Sequence, residues 1–196
     1  MALAAEVWQQ ISVHDMVTEF LRSERHKPAS LLPSADMGVV DRPDTSNPAE
    51  NHLRLRLLLY FRCHLLHELP PDTQWFAVDS LHDDELDELL VLARCGLDDL
   101  AVNNELAQVV KDKAPALASP PSSWRKPILW GHDREGPFSI IEGNHRLLAY
   151  ASAPQGVSIP VLVGVSPTPC FFHLPDPPNM LVNYLWHPSS WPSFRD

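Results

Sequence analysis

The run Phe138-Ser139-Ile140-Ile141 is short enough to be a strand, and it ends on a carboxylate and a glycine, Glu142 and Gly143. A helix-favouring run, Leu147-Leu148-Ala149-Tyr150-Ala151, follows almost at once. The turn between them places Asn144, His145 and Arg146 at the start of a helix. Unpaired backbone N–H groups and a partial positive charge gather there, so an anion is favoured, phosphate above all. At this turn the anion would also meet a histidine and an arginine, which makes it the expected active-site turn.

The elements that must position this turn are read from both sides of it. Upstream, Pro127-Ile128-Leu129-Trp130 has the pattern of a strand, and His132-Asp133-Arg134-Glu135-Gly136 that of a connecting turn. Two apolar runs joined by a polar stretch ending in glycine predict a hairpin. Downstream, the β-branched run Ile159-Pro160-Val161-Leu162-Val163-Gly164-Val165 predicts a strand returning beside it.

The N-terminal half predicts a strand over Val7 to Val13 and then a short helix led by Ser12 or His14, with Val17, Phe20 and Leu21 at helical spacing. Residues 27–50, rich in Pro, Ser, Asp and Asn, read as a long, mobile loop in which Asp36, Asp41, Arg42 and Asp44 are solvated. A helix is expected over Asn51 to Leu69, its apolar side formed by Leu53, Leu57, Tyr60, Phe61 and Leu65, and stopped by Pro70-Pro71. It carries Arg54, Arg56 and Arg62, the one dense basic segment of the chain, either a phosphate-facing surface or a solvated, ion-paired one.

Trp75 to Val78 predicts a short strand, with a helix beginning at Asp79-Ser80 and burying Leu81, Leu86, Leu89, Leu90 and Leu92. Its acids Asp83, Asp84, Glu85, Asp87 and Glu88 read as compensation of the helix dipole rather than a metal cluster. A further helix is expected from Leu97 or Asp98 to Lys113, then a Pro/Ser linker to Lys126. The residues 166–196, rich in proline and aromatics, read as an extended arm that packs over the domain and could engage a protein partner.

Composition bounds what this layout can be. At 196 residues and 44% hydrophobic the chain suits one domain with one core. A formal charge of −10 argues against a general nucleic-acid coat, since such binding rests on Lys and Arg neutralising phosphates. Cys63, Cys95 and Cys170 stand apart in no metal-ligand spacing, as expected of reduced thiols in a cytoplasmic protein. No signal-peptide pattern or long apolar run is present, so no membrane partner is expected.

The order hairpin, Gly-x-His-Arg turn, helix, strand resembles the ParB/sulfiredoxin-like superfamily. The match covers roughly Ile128 to Val165, with Gly143, His145, Arg146, Ala149 and Tyr150 in the matching places. The resemblance implies an α/β domain, a small mixed sheet with flanking helices, in which the turn binds a nucleotide phosphate through His145 and Arg146. Where sulfiredoxin has a cysteine between Gly and His, this chain has Asn144, which argues against sulfinate reduction. The single-domain layout is also similar to the plasmid-borne oncogenic-suppression or fertility-inhibition effectors, associated with ATP hydrolysis and DNase activity against transferred DNA.

Two chemistries fit, phosphoryl transfer or hydrolysis on a nucleotide and phosphodiester cleavage. Each needs a cation on the phosphate, a base or positioned water, and usually a divalent ion such as Mg2+. Arg146 supplies a planar charge, Gly143 to Arg146 the backbone donors, and His145 a phosphate contact or a proton carrier. Glu142 is the candidate metal ligand or general base, with an ion pair to Arg146 as the alternative. His132 and Asp133 are weaker metal candidates, otherwise an exposed turn. The expectation is ATP (or another nucleoside phosphate) binding and hydrolysis, with Mg2+-dependent cleavage of DNA held by Arg54, Arg56 and Arg62. The alternatives are a small-molecule or protein kinase of this fold and a non-catalytic, nucleotide-sensing or protein-binding module.

Overall fold

A computed structural model describes residues 7–81, 89–90, 125–136, 138–143, 146–147 and 159–168. Its elements are β1 (Trp8–Ile11), α1 (Val13–Ser23), α2 (His26–Leu31), α3 (Gly38–Asp41), α4 (Pro48–Glu68), β2 (Gln74–Leu81), β3 (Leu89–Leu90), β4 (Ile128–Gly131), β5 (Phe138–Glu142) and β6 (Ile159–Val165). The strands form one mixed sheet in the order β1-β2-β6-β4-β5-β3. β1 and β2, β2 and β6, and β4 and β5 are antiparallel, whereas β4 with β6 and β3 with β5 are parallel. This is an α/β fold with a mixed sheet and helices packed on it, and the hairpin and the returning strand stand as expected.

Alternation along the strands sorts the side chains to two faces. Trp75 and Ala77 of β2, Leu162 of β6, and Ile128 and Trp130 of β4 form one cluster with Met16, Val17, Phe20 and Leu21 of α1 and Leu57 and Leu58 of α4. The alternate residues Phe76, Val78, Leu129, Val161 and Val163 are buried as well. A strand buried on both faces reads as a continuous apolar run, which is how β6 appears in the sequence. Gly164 of β6 is required by packing: a Cβ there would lie 2.8 Å from the Trp75 ring.

The helix after β1 begins where a capping box sets it. The Ser12 hydroxyl accepts from the Asp15 N–H, and the Asp15 carboxylate accepts from the Ser12 N–H. Of the two leading residues considered, Ser12 is the cap. Eleven residues carry α1 about 16 Å back across the sheet, from the end where β1 finishes to the end where β4 starts.

Three expectations are corrected. Residues 27–50, expected as a mobile loop, contain α2, a 3-10 turn over Ser34–Met37, α3 and the first residues of α4. The few apolar residues there decide it, because Met37 and Val40 join the core cluster. Of its charges, Asp41 pairs with Arg25 at 2.7 Å and Asp44 accepts from the Ser46 amide at 2.9 Å. The helix expected from Ser80 is not found where its start is described: β2 runs on through Leu81, which pairs with Ile159 after a bulge, and Leu89–Leu90 is a strand beside Phe138 and Ser139. Cross-strand pairing outweighs the local capping signal there. Tyr60, expected in the core face of α4, is 72% exposed, and Leu58 is buried in its stead.

The acidic run 83–88, the helix expected near 97–113 and the arm after 168 fall outside the described residues, as do the side chains of Cys63, Cys95 and Cys170. No helix among the described residues is long and apolar enough to cross a membrane.

Candidate active site

β5 delivers Glu142 to its last position, opposite Ile128 at the start of β4. Gly143 then turns the chain with φ +100°, a left-handed conformation that glycine adopts without a Cβ penalty. The space forbids a side chain too, since a Cβ would stand 3.0 Å from both Cα and Cβ of Pro127. The Gly143 carbonyl accepts from the N–H of Arg146 at 2.9 Å and of Leu147 at 3.0 Å, so the helical turn opens at this glycine. Leu147 is fully buried and anchors the turn.

That geometry folds Arg146 back over Glu142. The Arg146 guanidinium donates through Nη2 to the Glu142 carboxylate in a very short contact, and the same nitrogen lies 3.3 Å from the Ser23 hydroxyl oxygen. The side chains of Arg146 and Glu142 are 15% and 17% exposed, so the pair is nearly dry but reachable. Arg146 Nε is buried without a hydrogen-bond partner. An unsatisfied buried donor on a guanidinium is a cost that an acceptor at the site would remove.

Ser23 arrives from the far end of α1. Glu19 and Ser23 are four residues apart and share a helix face. Glu19 accepts from the Lys126 N–H at 2.7 Å, which fastens that face to the start of β4. The Ser23 hydroxyl and the Glu142 carboxylate thus share one guanidinium nitrogen, Arg146 Nη2. Beside it, Glu24 binds Lys27 and, at 3.0 Å, Arg62.

The two glutamates differ in proton affinity. Burial pushes the Glu142 carboxyl up, and the charge of Arg146 and the Ser23 hydroxyl only partly pull it back, while the nearby Glu24 charge raises it further. Burial also acts on Glu24, but the Lys27 hydrogen bond and the charges of Lys27 and Arg62 outweigh it and hold Glu24 below its ordinary value. Of the two, Glu142 is therefore the stronger base.

The expected residues are not all brought together. Glu142, Gly143 and Arg146 form the centre, and Asn144 and His145 lie outside the described residues. His132 and Asp133 follow β4 at the opposite end of the hairpin from Glu142, since Trp130 pairs with Ser139 and Ile128 with Glu142. Asp133 caps its own turn, accepting from the Glu135 N–H at 2.7 Å, and His132 packs edge-on against Trp130. They are thus not neighbours of Glu142. No group of three or more His, Cys, Asp or Glu among the described residues could hold a metal ion. Glu142 meets Arg146 and Ser23, the ion-pair arrangement rather than a metal cage.

The expected basic surface also dissolves. Arg54 is fully buried, donating to the carbonyls of Val39 and Asp44 and to Glu50 and Asn51. Arg62 is half-buried on Glu24, and Arg56 alone of the three is exposed. Spacing along the helix could not show this in full, because the carbonyl acceptors of Arg54, on Val39 and Asp44, come from the segment expected as a loop.

Sequence reasoning missed Ser23, Glu19 and Glu24. A signal was present: two polar residues four apart, Glu19 and Ser23, interrupt a helix whose neighbours Phe20 and Leu21 are core. Comparison of the chain with protein-family models, with curated proteins and with solved structures returns no match.

Proposed function

We propose that the chain binds a nucleoside triphosphate with its terminal phosphate on Arg146 and hydrolyses it, on a fold of the ParB/sulfiredoxin-like kind. The observation that carries this reading is the Arg146 guanidinium held against Glu142 and Ser23 at a glycine turn. A planar guanidinium, 15% exposed, suits a phosphate oxygen. A carboxylate raised by burial suits the removal of a proton from attacking water. Water attacks the terminal phosphorus, Glu142 takes its proton, the bond to the bridging oxygen breaks, and the nucleoside diphosphate leaves. A magnesium ion carried on the nucleotide would neutralise phosphate charge; the described residues offer no separate cage for one.

The free nucleotide is favoured over DNA as substrate because Arg54 and Arg62 are already engaged by protein groups. The hairpin β4–β5, the glycine turn and the parallel placement of β6 beside β4 support the fold assignment. The test is phosphate release from ATP with Mg2+, for the natural chain and for Arg146→Ala. Turnover that disappears in the variant supports the reading, and equal turnover and nucleotide affinity in both sinks it.

A further inference from the structure

Ser23 is the last residue of α1, and the hydrolysis just described gives its hydroxyl no chemical step. Its hydroxyl nevertheless occupies a chemically loaded position. It accepts from Arg146 Nη2 at 3.3 Å, and the same nitrogen donates to the Glu142 carboxylate. Two distant parts of the chain, the end of α1 and the turn after β5, meet at this oxygen. A hydroxyl and a carboxylate gathered on one guanidinium nitrogen supply the parts of an activated nucleophile, an attacking oxygen and a base oriented by a third group. Here Arg146 is the orienting group, and it is also the residue proposed to hold the phosphate.

We propose that Ser23 is a phosphoryl acceptor: the chain phosphorylates itself there from the nucleoside triphosphate bound at Arg146, a step that rests on the proposed function. The Ser23 oxygen attacks the terminal phosphorus and forms an O–P bond. The bond from that phosphorus to the bridging oxygen breaks, the nucleoside diphosphate departs, and the hydroxyl proton passes to Glu142. Ser23 takes the place of water in the same site. A phosphate placed at the C-terminal end of a helix opposes the helix dipole. Arg146 therefore serves twice, holding the incoming phosphate and then offsetting the charge left on Ser23.

Neighbouring serines do not share the arrangement. Ser30 donates to the Lys27 carbonyl and Ser46 to the Asp44 carboxylate, and the Ser12 hydroxyl is spent on the capping box. The Ser166 hydroxyl donates to Asp72 at 2.7 Å, with no arginine in that contact.

The experiment incubates the full chain with ATP and Mg2+, follows phosphate release, and locates covalent phosphate by intact mass and peptide mapping. Ser23→Ala, Ser23→Thr, Glu142→Gln and Arg146→Ala are run in parallel, with circular dichroism to verify folding. The expected result is one phosphoryl group on Ser23, lost in Ser23→Ala, Glu142→Gln and Arg146→Ala and retained on threonine in Ser23→Thr. The threonine variant keeps the test decisive if the alanine variant misfolds. Nucleotide turnover without label on residue 23, or with label elsewhere, overturns this inference and leaves the proposed function standing. Absence of nucleotide binding, turnover and label in the natural chain overturns both.

Discussion

Gly143→Ala should destabilise the protein far more than a glycine replacement elsewhere, and its magnitude follows from two observations. The residue sits at φ +100°, where an L side chain costs about 1–2 kcal/mol. The added methyl would also meet Pro127 Cα and Cβ at 3.0 Å, backbone and ring atoms that cannot rotate away. Overpacking of this kind costs about 1–3 kcal/mol, so the sum is about 2–5 kcal/mol. Gly38→Ala is the internal control. Gly38 has φ −53° and nothing within 4 Å of a new Cβ, so alanine there should be neutral or stabilise α3 by about 0.5–1 kcal/mol. Urea unfolding followed by circular dichroism reads both: with a slope of about 2 kcal/mol/M, Gly143→Ala should lower the midpoint by about 1–2.5 M while Gly38→Ala leaves it or raises it. Equal midpoints for the two variants would refute the account of the turn.

Gly164→Ala should cost about 1–3 kcal/mol, because its Cβ would press on the buried Trp75 ring at 2.8 Å; unchanged thermal unfolding would contradict that packing. Arg54→Ala removes a buried cation from two carbonyls and Glu50, and should cost about 3–5 kcal/mol, a fall of roughly 10 °C in Tm. If Arg54 belonged to a nucleic-acid surface instead, its loss would change stability little. Glu24 has a carboxyl held low in the folded state. Its stabilisation is present above the unfolded pKa and is lost as pH falls through the folded one. Glu24→Gln should therefore flatten the acid side of the stability profile measured by denaturation across pH, and an unaltered acid limb would count against the Lys27 and Arg62 pairing.

The parts of the fold legible in the sequence are those where local signals and burial agree. Ser12 with Asp15, the β-branched run of β6, and the polar turn closing β4 and β5 each state their structure within a few residues. The candidate site was half legible for the same reason: Glu142, Gly143 and Arg146 are neighbours in the chain. Ser23 is 123 residues from Arg146, and nothing local announces that contact. Burial also inverted some signals. The loop composition of 27–50 hid Met37 and Val40, and the arginines of α4 looked like a surface until the acceptors of Arg54 came into place. At Ser80 and Leu81 a capping pattern lost to a strand partner, Ile159, far along the chain.

The central claim is that a nucleotide phosphate sits on Arg146. A structure of the chain with a non-hydrolysable ATP analogue and Mg2+ tests it most directly. The account predicts the terminal phosphate within roughly 3 Å of the Arg146 guanidinium, with Glu142 and Ser23 facing the phosphorus. A nucleotide bound elsewhere, with the contacts among Glu142, Arg146 and Ser23 untouched, would contradict it.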